Sequence, residues 1–387
     1  MRLGLGIGIS TNYSTGEGAP VNTDFVFQVK SNNAGTSNSD QFALPFDTGS
    51  TNNFTWEDSD GGSGSHNTDS DLLITFGSGE GTYTITITGD VQGVYFNNGG
   101  DDDKITDISN FGTLDISTNR AFNGCSALDI SATDAPTISA TNLDYTFLNC
   151  TSLTTPDFST WDVSSVTSML NMFGNCTSFN GSIDTWDVGS VLKFEAMFTS
   201  CTVFDGDLST WDTSSATSMK QMFISASTFN QDISSWVVTS VSNFQEMFRG
   251  ATLFNQNISG WGTGAATTMT RMFQLAKAFN QPIGSWDTSL VVNGMVYMFF
   301  DADAFDQDIS AWDVNQVSAF LGFMQNATGL STANYDALLI AYDAQGAMAY
   351  SGTVNFGGSK YTSGGAAEAA RTSLISKWGG ITDGGAA

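Results

Sequence analysis

Apolar and polar positions recur with a fixed period between residues 104 and 330. Trp stands at 161, 186, 211, 236, 261, 286 and 312, so neighbours lie 25 residues apart and the last pair 26. A Met-Phe pair follows each of the first six at a near-constant distance: Met172-Phe173, Met197-Phe198, Met222-Phe223, Met247-Phe248, Met272-Phe273 and Met298-Phe299. Phe323-Met324 inverts the pair. Three residues beyond each pair comes a small residue: Cys176, Cys201, Ala226, Ala251, Ala276, Ala302 and Ala327. Phe122 and Phe147, ahead of Cys125 and Cys150, carry the pattern back through two units that lack Trp.

Within a unit, FNQDISSW sets β-forming residues between Asn, Asp and Ser, which predicts a short strand. In SSVTSMLNMF the apolar residues Val166, Met169 and Met172-Phe173 follow a Ser at near-helical spacing, which predicts a short helical turn. One strand and one short helix per 25 residues is the size of a leucine-rich-repeat coil. The expected architecture over 101–330 is therefore a leucine-rich-repeat-like solenoid, a parallel sheet plus short helices in about nine turns of 25 residues. Each inward position then becomes a column, with Trp, Met-Phe and the Ile183, Leu208, Ile233, Ile258, Ile283, Ile309 series as core. Asn180, Asp205, Asn230, Asn255, Asn280 and Asp306 fall where the chain must turn, and predict a hydrogen-bonding ladder.

Upstream, FVFQV, NFTW, DLLITF and TYTITITG alternate between Gly/Ser/Asn/Asp loops and predict an N-terminal β-sandwich over 22–100. Residues 1–21 are glycine-rich and read as an extended arm, and 331–387 as a small α+β C-terminal cap.

The composition agrees with a turn-rich chain: 41 Gly, and 33 Asp against 6 Glu. Only 13% of residues are charged, and the net charge is −27. That balance argues against nucleic acid, whose phosphates require Lys/Arg clusters, and against anionic membrane surfaces. No apolar run is long enough to span a membrane, and the polar TNYSTGEG that follows MRLGLGIGIS is read as having no small-x-small cleavage pattern, so neither membrane insertion nor a signal peptide is expected.

The chain offers little for catalysis. Its one His, His66, lies in the loop GGSGSHNTDS, which disfavours Ser-His and Cys-His triads, and there is no phosphate-binding or dinucleotide fingerprint. A repeated unit also differs from the singular constellation that an active site needs, so no enzyme is expected. Cys125, Cys150, Cys176 and Cys201 form a column later filled by Ala; free buried thiols, disulfides between neighbouring units and a metal column are the alternatives. After each Trp, an acidic column runs through Asp162, Asp187, Asp212, Asp287 and Asp313, broken by Val237 and Gly262. Thr160, Thr185, Thr210, Ser235 and Ser285 share its outward face and complete the candidate binding surface. The carboxylates form either a solvated face that caps the following turn or a row for divalent cations, Ca²⁺ being favoured by all-oxygen ligands. No other cofactor is expected.

Repeats of the form FNQDISSW, DVSSVTSM and MF followed by Ala or Cys resemble the BspA-like leucine-rich-repeat surface proteins, which include a repeated Mycoplasma-lipoprotein segment. The tail, TGLSTANYDALLIAYDAQ followed by VNFGGSKYTSGG and a second helix, is similar to that family's cap. TWEDSDGG followed by GEGTYTITITG resembles a degenerate polycystic-kidney-disease domain, an Ig-like sandwich, although an unrelated small sandwich fits equally. The resemblance implies a non-enzymatic, surface-exposed structural or recognition protein. With no export signal read, a phage virion component (fibre, spike or decoration protein) is the first expectation. A bacterial cell-surface adhesin is the alternative, and a glycan-acting enzyme the third. The expected partners are a protein or glycan receptor on a surface and other virion proteins met through the N-terminal arm, with many copies on a particle. The expected location is the virion surface or, alternatively, the bacterial cell surface.

Overall fold

The computed structural model describes residues 23–345 and 349–387, so the arm read over 1–21 lies outside the described residues. Alternation of aromatic and β-branched residues with polar ones produces β1 (Phe25–Lys30), β2 (Gln41–Leu44), β3 (Asn53–Asp58), β4 (Ser63–His66), β5 (Leu72–Thr75) and β6 (Thr82–Gln92). Three further strands follow: β7 (Ile105–Asn110), β8 (Leu114–Asp115) and β9 (Asp129–Ile130). Seven of these nine form one sheet in the order β4-β3-β6-β1-β7-β9, with β8 beside β6, while β2 and β5 pair separately. The central strand β1 is antiparallel to both neighbours, with Phe27 opposite Ile85 on β6 and Ile108 on β7. All three side chains are fully buried. β7 and β9 lie beyond residue 100, so the sheet continues from the N-terminal segment into the first units. There the pairing changes sense, since β7–β9 and β6–β8 are parallel. At this junction the buried Lys104 ammonium donates to Ser37 Oγ at 2.7 Å and to the carbonyls of Ser37, Asn38 and Gln41. The buried Asp101 carboxylate accepts from the backbone of Thr36, Ser37 and Ala43. Both charges are thereby compensated.

The structure overturns the expected fold class. The sheets are mostly antiparallel, and the only α-helices among the described residues are α1 (Thr332–Ala344) and α2 (Ala366–Trp378), both beyond the repeats. A leucine-rich-repeat solenoid with a parallel sheet and short helices is therefore not what this chain forms. Parallel pairing between units is reduced to isolated single-residue bridges, as at Ser168↔Lys193, Lys193↔Ser218 and Ser218↔Asn243. Left-handed backbone explains why the expected helical turn is missing. Asn171 and Asn175 have φ of 54° and 59°, and Ala196/Ser200, Gln221/Ser225 and Arg271/Leu275 repeat the pair. Two such residues four apart are incompatible with a right-handed helix. The amides divide instead into two sets. Asn171, Phe173 and Asn175 donate forward to the carbonyls of Glu195, Met197 and Thr199 in the next unit, while Met172, Gly174 and Cys176 close turns on Met169, Asn171 and Phe173. Half of the amides thus join units and half close turns, which leaves neither a helix nor a strand.

Side chains stack in register from unit to unit. Trp186, Trp211, Trp236 and Trp261 lie with ring centroids 6.4–6.5 Å apart and nearly parallel rings. Phe198, Phe223 and Phe248 stack at 5.6–5.7 Å. The expected Asn/Asp ladder is present: the backbone N–H of Asp205 donates to Asn180 Oδ1, Asn230 to Asp205, Asn255 to Asn230, Asn280 to Asn255 and Asp306 to Asn280, at 2.9–3.0 Å. After the last unit come α1, β10 (Gly352–Asn355), α2 and β11 (Gly379–Thr382), with β10 and β11 parallel. Val354 of β10 bridges Leu321, and Gln345 Oε1 accepts from the Val314 amide, so the end of the stack is covered.

Candidate functional site

The Trp-bearing units turn Trp inward, and the Thr/Ser and Asp that flank it in most of them face outward. Thr185, Asp187, Thr210 and Asp212 come together around one open depression of about 490 Å³, with Asp184, Trp186 and Val188 completing the wall. Thr160, Asp162, Ser235, Ser285 and Asp287 are exposed in other units, and Asp313 is half-buried. The hydroxyls bond across units: Thr185 donates to the Ser159 carbonyl at 2.6 Å, Thr210 to Asp184, Ser235 to Ser209 at 2.8 Å and Ser285 to Ser259 at 3.2 Å. The carboxylates bond within their own turns. Asp162, Asp187, Asp212, Asp287 and Asp313 each accept the backbone N–H two residues on, at 2.9–3.1 Å. Hydrogen bonds from the Ser hydroxyl and amide hold the carboxyls of Asp162, Asp212 and Asp287 below the usual range. Among the described residues no three His, Cys, Asp or Glu converge as a metal site.

All four cysteines are free and buried. Cys150, Cys176 and Cys201 donate to the carbonyls of Phe122, Phe147 and Phe173 in the preceding unit, and burial pushes each thiol's pKa up. His66 stacks on Phe46 at 5.3 Å.

A second surface escaped the sequence reading. Between the constant Met and Phe positions, four places differ strongly from unit to unit. Leu170-Asn171 and Gly174-Asn175 become Gln245-Glu246 and Arg249-Gly250, then Thr270-Arg271 and Gln274-Leu275, then Val296-Tyr297 and Phe300-Asp301. These places lie on the left-handed turns, so one face of the stack varies while the interior repeats. Arg249, Arg271, Gln274, Tyr297 and Phe300 line a cavity of about 380 Å³ on that face. The Arg271 guanidinium lies 5.7 Å over the Tyr297 ring, and Phe300 meets Tyr297 edge-on at 5.5 Å. Buried Glu246 accepts from Arg271 Nη1 at 3.1 Å and Gln221 Nε2 at 2.8 Å. Burial raises the Glu246 pKa, but these bonds and the charges of Arg249 and Arg271 outweigh it and hold the carboxyl below its ordinary value. The sequence did carry a signal, namely variation inside an otherwise constant unit.

No helix of the described residues is long and apolar enough to cross a membrane. A family model described as "Mycoplasma protein of unknown function, DUF285" matches residues 141–261 and again 231–337, together just over half of the chain. The match agrees with the surface-repeat resemblance and lends no support to a virion role. It does not extend to residues 22–100, where the polycystic-kidney-disease likeness remains a resemblance. No curated protein and no solved structure matches the chain.

Proposed function

We propose, because the chain belongs to the family described as Mycoplasma protein of unknown function, DUF285, that it is a surface-exposed recognition protein of the bacterial adhesin kind, which binds rather than turns over its partner. The observation that carries this reading is the division of labour within the unit. Trp, Met-Phe and Asn positions repeat because they stack, whereas the four turn positions vary and are displayed together on one face. A rigid interior behind a variable face is how repeat arrays present extended binding surfaces. Modest contacts at each unit then gain from the number of copies on a surface. The acidic depression at Asp187 and Asp212 is a second part of the displayed surface, and its carboxylates suit a partner with basic groups.

The test is exposure on intact producing cells, using antibody labelling and external protease. Labelling and cleavage before lysis are expected. Recovery only from the cell interior, or as a constituent of purified phage particles, would overturn the proposal.

A further inference from the structure

We propose that the cavity formed by Arg249, Arg271, Gln274, Tyr297 and Phe300 binds one carboxylate-bearing sugar unit, a uronic or sialic acid, displayed on a glycan. This deepens the recognition reading above and rests on it.

Two unmet polar atoms point to a ligand. Arg249 Nε is buried and has no hydrogen-bond partner, and neither does the buried Gln274 Oε1 in the next unit. Buried polar groups are nearly always paired, so two unmet atoms on side chains that line one cavity favour a molecule toward which both side chains can turn and which supplies both complements. A sugar acid does so, with its carboxylate accepting from Arg249 and a hydroxyl donating to Gln274.

Charge points the same way. Arg271 is paired with Glu246 at 3.1 Å, and nearby Lys277 is held by Asp301 at 2.8 Å and Asp303 at 2.9 Å. Arg249 has no carboxylate in ion-pair range among the described residues, so of these three cations its guanidinium alone is not held by a direct ion pair. The chain as a whole carries −27, and that field disfavours a long polyanion while leaving this one spot able to accept a single carboxylate. Tyr297 and Phe300 supply apolar ring surface against which the C–H face of a sugar can rest. A volume of about 380 Å³ is at the small end of ligand pockets and suits one ring rather than an extended chain. An acidic peptide would satisfy the guanidinium but would need a run of backbone partners beyond the cavity.

The purified full chain would be titrated with sodium glucuronate and with N-acetylneuraminate, followed by calorimetry and by chemical-shift changes. Glucose, galactose and a short Glu-containing peptide serve as competing probes. At least one acidic sugar should saturate at a concentration at least tenfold below that of the neutral sugars. Arg249→Gln should weaken that binding at least tenfold, and because the Arg249 charge also favours the Glu246 carboxylate a small fall in melting temperature is expected with it. Gln274→Leu should weaken it severalfold and provides a second variant if the first folds poorly. The inference is overturned if neither acid saturates, if neutral sugars bind as well, if both variants bind like the parent chain, or if the peptide binds more tightly than either sugar. Soluble protein and free sugars make the outcome independent of where the protein resides in the cell, so failure here leaves the surface-recognition reading to its own test.

Discussion

The indole N–H of Trp211 donates to the carbonyl oxygen of Ile183 at 3.0 Å, across the boundary between two units. Trp186, Trp236, Trp261, Trp286 and Trp312 make the same bond to Phe158, Leu208, Ile233, Ile258 and Ile283. The residue therefore does more than fill volume, because it brings a second donor, from the next unit, to a carbonyl that already accepts a backbone N–H of its own unit, as Ile183 does from Trp186 at 3.3 Å. Trp161, at the head of the series, has a buried indole N–H without a partner.

Replacing this side chain separates packing from bonding. Trp211→Ala should lower the unfolding free energy by roughly 3–5 kcal/mol. Trp211→Phe keeps a ring but removes the indole bond, leaving Ile183 with the Trp186 amide alone, and should cost about 0.5–1.5 kcal/mol more than Trp161→Phe, which breaks no such bond. Urea unfolding of the three variants checks this. Equal costs for the two Phe variants would show that the indole bond contributes nothing.

The Asn ladder predicts a contrast between two substitutions at one position. Asn230 Oδ1 accepts the Asn255 amide, and its own amide donates to Asp205. Asn230→Ala should cost about 1–3 kcal/mol, the range for a buried amide left without its acceptor. Asn230→Asp should be far milder, since Asp205 and Asp306 already occupy the column. Hydrogen exchange at Asn255 should quicken in the Ala variant alone.

Much of this organisation could be read from the sequence, and the reasons differ from element to element. The Trp and Asn columns were legible because each imposes a side-chain requirement that few residues meet. The turn at Met169–Cys176 was misread as helical because successive turns closed over three residues place apolar side chains at nearly the spacing of a helix. Met172 on Met169 and Val166 on Val163 are such closures. Its first left-handed position holds Asn171, Ala196, Gln221, Glu246 and Arg271, and its second Asn175, Ser200, Ser225, Gly250 and Leu275, so a glycine marked it in only one of these units. The Thr and Asp columns face outward apart from half-buried Asp313, and their bonds to neighbouring carbonyls and amides depend on stacking that no single unit displays. The Arg249 cavity draws on three successive units, and nothing local in any one of them announces it.

The thiols should make the fold sensitive to alkali. Burial raises the pKa of Cys125, Cys150, Cys176 and Cys201 in the folded chain. Above the unfolded value, about 8.5, the unfolded state binds fewer protons than the folded one, so stability must fall as pH rises. The slope should approach about 1.4 kcal/mol per pH unit for each thiol. Cys176→Ala, which matches Ala226 and Ala251 in later units, should flatten that decline with little change at neutral pH. Melting curves between pH 7 and 10 give the measurement.

Acid should act on the outward carboxylates in the opposite sense. The folded pKa of Asp212 is lowered by the Ser214 hydroxyl and amide, so its contribution is present above the unfolded value and is lost as pH falls through the folded one. Asp212→Ala should therefore be less stable than the parent at pH 7, with the gap narrowing below about pH 4. Asp212→Asn should stay close to the parent at pH 7, because Asn257 already serves the Ser259 amide in a comparable turn.

The forward amide bonds have a consequence for the gene as well as for the protein. The forward ties recur at nearly the same offset in successive units, so each joint resembles the next. Recombination between such similar coding segments can insert or remove a whole storey without requiring a new kind of joint. Height is then the dimension that such an exchange changes, while cross-section stays fixed. A storey gained below Arg249 would carry its cavity to a different distance from whatever the protein stands on, at no cost to the cavity itself.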